Sequence, residues 1–95
     1  MRIEGLAGDD RIEGGDGDDF IHGAEGNDRL EGGDGIDTVL GGPGNDLELG
    51  GKGNDRLEGS KGRDILIGGE GTDLLLGGPD QDILIGGTTS YDDHS

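Results

Sequence analysis

Nine consecutive nine-residue blocks of the form G-G-x-G-x-D-x-U-x, with U aliphatic, run from Gly5 to Ile85 without insertion or deletion. A short fixed period constrains a chain more than its composition does. Each block must repeat the backbone of the next and bury its apolar residue against a neighbouring copy. The sixth position is Asp in all nine blocks: Asp10, Asp19, Asp28, Asp37, Asp46, Asp55, Asp64, Asp73 and Asp82. All 25 glycines fall on the first, second or fourth position of the lattice. A flexible linker would scatter them; fixed offsets mark places where the backbone needs φ > 0 or meets another segment closely.

The eighth position is Ile12, Ile21, Leu30, Val39, Leu57, Leu66, Leu75 and Leu84, with Glu48 as the one exception. The last three residues of a block suit a short strand whose middle side chain faces one way and whose flanks face the other. The flanks of early blocks are polar, as in Arg11/Glu13, Arg29/Glu31 and Arg56/Glu58, so the eighth position faces inward. Each block then reads as a six-residue turn and a three-residue strand. Two successive blocks close one coil, and alternate strands stack into two parallel sheets. The expected fold is all-β: a right-handed two-sheet β-helix solenoid over residues 2–90, followed by a polar, disordered tail at 91–95.

Composition alone points elsewhere. Only 26% of the 95 residues are hydrophobic, and the formal net charge is −16. Such a chain cannot offset its ordering entropy by burial, so a bound partner must supply the difference. There is no cysteine to cross-link it and no apolar run long enough to span a membrane. The charge argues against nucleic acids and anionic membrane surfaces as partners.

Cations answer both problems. Stacking brings the Asp of one block beside the Asp two blocks on, a column of like charges that is unfavourable unless neutralised. Ca²⁺ takes six to eight oxygens at roughly 2.3–2.6 Å from carboxylates and backbone carbonyls, and glycine turns leave carbonyls open. Five turns on one edge and four on the other leave seven gaps, hence about seven internal ions. Those ions would bring the formal charge to −2. Mg²⁺ suits the turns less well because it keeps a tighter octahedron and its waters. Zn²⁺ lacks ligands, with no Cys and only His22 and His94.

Blocks such as GGDGDDFIH (14–22), GGPGNDLEL (41–49), GGKGNDRLE (50–58) and GGEGTDLLL (68–76) resemble the RTX (repeats-in-toxin), or haemolysin-type calcium-binding, nonapeptide family. The resemblance covers residues 5–85. It implies a parallel β-roll that folds when Ca²⁺ binds, carried on a secreted bacterial protein exported by a type I system. It also implies that each sixth-position Asp serves the ions on both sides of its turn and that turn carbonyls complete the shell. The first-position glycines Gly14, Gly23, Gly32, Gly41, Gly50, Gly59, Gly68 and Gly77 are the expected carbonyl donors.

Departures from the repeat carry their own expectations. Leu6, Ala24 and Ser60 replace the second Gly, and Asp80 replaces the fourth, where it strains the turn or adds a ligand. Ile36 and Arg63 at the fifth position weaken their turns, where Asp9, Asp18, Asn27, Asn45 and Asn54 help orient the others. A buried unpaired Glu48 would be costly, so a local distortion of the L-E-L strand is expected, with a slip that buries Leu47 or Leu49. Arg2-Ile3-Glu4 match the end of a preceding block, which predicts an excised segment; Tyr91 is the expected cap at the other end. The late strands at 65–67, 74–76 and 83–85 are aliphatic on both faces. They form an apolar ladder for a docking C-terminal segment or for self-association.

No enzyme is expected. His22 and His94 lack a nucleophile partner, and the carboxylates are too many and too alike for acid–base catalysis. The leading reading is a calcium-responsive folding module. The others are a structural or adhesive spacer, and an accessory domain of a secreted protease, lipase or polysaccharide-modifying enzyme.

Overall fold

The computed structural model describes residues 2–5, 7–78 and 82–86. Leu6, Asp80, Tyr91, His94 and the tail at 91–95 lie outside the described residues. Among the described residues ten three-residue strands follow one another: β1 (Arg2–Glu4), β2 (Arg11–Glu13), β3 (Phe20–His22), β4 (Arg29–Glu31), β5 (Thr38–Leu40), β6 (Leu47–Leu49), β7 (Arg56–Glu58), β8 (Ile65–Ile67), β9 (Leu74–Leu76) and β10 (Ile83–Ile85). Each fills the last three positions of a block and stops at glycine.

The odd strands form one sheet in the order β1-β3-β5-β7-β9, and the even strands form the other, β2-β4-β6-β8-β10. All pairings are parallel with the same offset of two blocks; Val39, for example, sits between Ile21 and Leu57. The fold is therefore a parallel β-solenoid in which two blocks make one coil. Its core is a single file of eighth-position side chains. Ile21, Leu30, Val39, Leu57, Leu66 and Leu75 are fully buried, and Ile3, Ile12 and Leu84 pack against them half-buried toward the ends of the stack.

Seventh and ninth positions face outward. Within a strand they lie on one face, so Arg2 pairs with Glu4 at 2.9 Å, Arg11 with Glu13 at 3.5 Å and Arg56 with Glu58 at 3.0 Å. These exposed pairs contribute little to stability; they report the direction of the strand faces.

Two expectations need correction. β6 shows no slip: Glu48 keeps register between Leu30 and Leu66 and is fully buried. Leu47 and Leu49 stay on the outer face. Shifting the strand by one residue would bury two leucines but break pairing with both neighbours, and the uniform two-block offset prevents it. The apolar ladder also does not run through all three late strands. Consecutive strands alternate between sheets, so β9 lies opposite β8 and β10. On the even sheet the ladder is instead Leu47–Ile65–Ile83 beside Leu49–Ile67–Ile85.

At the second position the turns require a left-handed backbone regardless of residue. Ala24 and Ser60 hold φ of 69° and 72°, matching the 83–90° of Gly15, Gly33, Gly42, Gly51 and Gly69. An L-residue is strained there by roughly 1–2 kcal/mol.

Candidate metal centre

The turns form two columns, one along each edge of the solenoid. The chain passes from the odd sheet to the even one through the turns that close at Asp10, Asp28, Asp46, Asp64 and Asp82, which lie on the first edge. It returns through the turns that close at Asp19, Asp37, Asp55 and Asp73, which lie on the second. The nine aspartates are thereby sorted into a column of five and a column of four.

Seven of the nine aspartates, all but Asp10 and Asp19 in the first turn of each edge, span the gap to the turn before. Oδ1 of Asp28, Asp46, Asp64 and Asp82 accepts from the backbone N–H of Asp10, Asp28, Asp46 and Asp64 at 2.7–2.8 Å. On the second edge, Oδ1 of Asp37, Asp55 and Asp73 accepts from the N–H of Asp19, Asp37 and Asp55 at 2.7–2.8 Å. A carboxylate thus sits in every one of the seven gaps. The fifth position runs a second column in the opposite sense. Oδ1 of Asp9, Asp18, Asn27, Asn45 and Asn54 accepts from the N–H of Asn27, Ile36, Asn45, Arg63 and Thr72 at 2.8–2.9 Å. Ile36 and Arg63 donate their backbone N–H in this column but have no side-chain oxygen to accept from the next coil. Sequence reasoning had the fifth position orienting its own turn; the link is between coils, and the recurrence of Asp/Asn two blocks apart was its signal.

The second carboxylate oxygen lies inside the turn. Oδ2 of Asp10, Asp28, Asp37, Asp46 and Asp55 is buried without a hydrogen-bond partner. Beside it the first-position glycine leaves a hollow. A Cβ placed on Gly14 would lie 2.7 Å from Asp19 Oδ2 and 2.8 Å from the carbonyl oxygen of Gly32. The same arrangement joins Asp10 with the Gly23 carbonyl, Asp28 with that of Gly41, Asp37 with that of Gly50 and Asp55 with that of Gly68. At Gly59, Gly68 and Gly77 the nearest groups are the carboxylates of Asp64, Asp73 and Asp82. Any side chain at the first position would fill the space shared by a carboxylate and a carbonyl of the adjoining coil.

Electrostatics show what this array favours. Burial raises Asp37 from the ordinary 3.8 to about 6, with the Asp19 and Asp18 charges adding to it. Burial raises Asp46 to about 7, with Asp28 adding, and Asp55 to about 7, with Asp37 and Asp73 adding. Asp28 is raised for the same reasons. Backbone N–H donors oppose the rise at each of these residues and do not cancel it. Stacked carboxylates without a counter-ion thus favour protonation, and a cation relieves the same conflict.

The donors fit a hard divalent cation. They are carboxylate and carbonyl oxygens, some buried and unpartnered, beside a backbone with no side chain in the way. Among the described residues no three acidic or imidazole side chains already converge. A cation held here therefore needs backbone carbonyls as well as aspartates.

No curated protein and no solved structure matched the chain. The model of a family described as RTX calcium-binding nonapeptide repeat (4 copies) matches residues 2–30, 22–47 and 49–88. These segments cover most of the sequence and carry the same aspartates and glycines that build the two turn columns. The chain belongs to the RTX calcium-binding nonapeptide repeat family.

Proposed function

We propose that this calcium-binding repeat module is a calcium-driven folding device, an unfolded polyanion without the ion and a roll with it. About seven Ca²⁺ occupy the seven gaps. Asp10, Asp19, Asp28, Asp37, Asp46, Asp55, Asp64, Asp73 and Asp82 supply the carboxylates. The first-position glycines Gly14 to Gly77 supply carbonyls. The observation that carries this reading is the carboxylate spanning every gap, with its second oxygen buried beside a glycine hollow. The core is one residue wide, so little but the ions offsets the ordering entropy.

A module of this kind suits a secreted protein. It stays extended where calcium is scarce and folds outside the cell. The roll occupies residues 2–90 and the polar tail 91–95. The aliphatic outer face of the even sheet, with Ile65, Ile83 and Ile85 exposed, supports a second role as a docking surface for a covering segment. The test is a far-UV circular dichroism titration with Ca²⁺, repeated with Mg²⁺ and EGTA, with bound calcium counted by calorimetry. A cooperative coil-to-β transition with Ca²⁺ alone and about seven ions bound is the expected result. A β signal that is already complete in EGTA overturns the proposal. Sedimentation in calcium then separates a monomer with an open face from a self-associating roll.

A further inference from the structure

One turn is altered from inside the core. At Gly5, Gly14 and Gly23 the hollow is bounded on the core side by a δ-methyl of the eighth-position residue. These are Ile12 at 3.2 Å, Ile21 at 3.1 Å and Leu30 at 3.1 Å from the point where a Cβ would lie. At Gly41 the corresponding group is Glu48 Oε2, 2.5 Å from that point, and Asp46 Oδ2 is 2.6 Å from it. Glu48 therefore follows the path of the aliphatic side chains at the other eighth positions and delivers a carboxylate to the edge of the turn.

Among the described residues nothing hydrogen-bonds to that carboxylate. Glu48 is 0% exposed, and neither of its oxygens has a hydrogen-bond partner. Its strand neighbours are Leu30 and Leu66. The acidic groups of Asp64, Asp46 and Glu58 bear on it. The nearby Gly41 N–H donates instead to the Glu58 carbonyl, at 2.8 Å. Asp46 and Asp64 are the two aspartates flanking the gap between turns 41–46 and 59–64.

We propose that Glu48 is a further calcium ligand, reaching from the core to that gap and sharing its ion with Asp46. The gap then offers its ion, beside the Asp46 oxygen, a carboxylate that the other gaps lack. The proposal rests on reading the gaps as ion sites. Affinity in oxygen-donor calcium sites rises with the number of charged ligands, so this becomes the tightest site in the roll. It lies at mid-stack on the first edge, flanked by complete coils.

Calorimetry and native mass spectrometry of the 95-residue chain with CaCl₂ test this, comparing wild type with Glu48→Gln and Glu48→Leu. Loaded wild type, stripped stepwise with EGTA, is expected to show one ion held about ten-fold or more tightly than the rest. Both variants are expected to lose that class and keep the others. As a second readout, the Glu48 side-chain ¹³C resonance, assigned by its loss in Glu48→Gln, should report an ionised, calcium-bound carboxylate in the loaded roll. Wild-type isotherms in both variants, or a resonance indifferent to calcium, overturn the proposal and leave the seven-gap reading standing. A wild-type chain that binds no calcium overturns both.

Discussion

Gly17 and Gly35 occupy the fourth position of successive turns on the second edge, and replacing each with Ala separates backbone strain from stacking. Their backbones are alike, with φ of 96° and 108°. What differs is the coil above. A Cβ on Gly17 meets nothing within 4 Å, whereas one on Gly35 falls against the Gly17 carbonyl, with the carbonyl carbon at 2.7 Å. An alanine forced to positive φ costs roughly 1–2 kcal/mol, so Gly17→Ala should lose about that much. Gly35→Ala adds an overpacking term of about 1–3 kcal/mol, because the obstructing atoms are backbone. The total of about 2–5 kcal/mol is a large share of the roughly 5–14 kcal/mol expected of a chain this size. The choice of assay follows from these magnitudes. If about seven ions bind with folding, about 3 kcal/mol raises the calcium midpoint only about two-fold. Urea unfolding in saturating calcium reads the full difference. Equal losses in the two variants would refute the idea that the fourth glycine is demanded by the adjoining coil as well as by φ.

Three further expectations follow. Asp55→Ala removes the carboxylate between Asp37 and Asp73 and should cost two ions on the second edge; an unchanged count in native mass spectrometry would contradict the ligand assignment. Ser60→Gly relieves a residue held at φ 72° and should stabilise the calcium-loaded roll by about 1 kcal/mol in urea, where no change would mean the turn is unstrained. The third concerns pH. In the metal-free roll Asp37, Asp46 and Asp55 stand at about 6, 7 and 7 against an ordinary 3.8. Between those values the folded chain binds protons that the unfolded chain has released, so stability falls as pH rises through the folded values. Circular dichroism in EGTA should show more β structure at about pH 4.5 than at about pH 7.5. The calcium midpoint should climb on acidification, as protons and ions compete for the same oxygens. A metal-free β signal that grows with pH would contradict this.

The nine-residue period made the coil legible: turn, strand, two blocks per coil and an inward eighth position all follow from glycine, aspartate and aliphatic spacing. It was less informative wherever the relevant neighbour lies two blocks away. Ile65, Leu74 and Ile83 look like one ladder when read in order, but topology puts Leu74 on the opposite sheet and brings Leu47 beside Ile65. Glu48 was misjudged for a different reason. A carboxylate at a core position suggests a slip when the core is imagined as uniformly apolar. A one-residue-wide core ends at the turn, within reach of a glutamate side chain, and continuous pairing with Leu30 and Leu66 keeps the strand in place. The seven aspartate crossings were legible only as a count of gaps, since the direction in which each side chain reaches depends on turn geometry.

The coil-to-coil ladder also gives the molecule a mechanical character. Its interstrand hydrogen bonds run along the stack, so tension applied to the two ends loads the coils in series and strips them from an end one at a time. Each coil spans about 4.8 Å of the stack but holds two blocks, roughly 60 Å of extended chain. Under a steady pull the roll should lengthen in discrete steps of roughly 55 Å, and each step should release the ions shared with the next coil. Calcium concentration then sets the force at which the tether yields, and relaxing the load in calcium rewinds it.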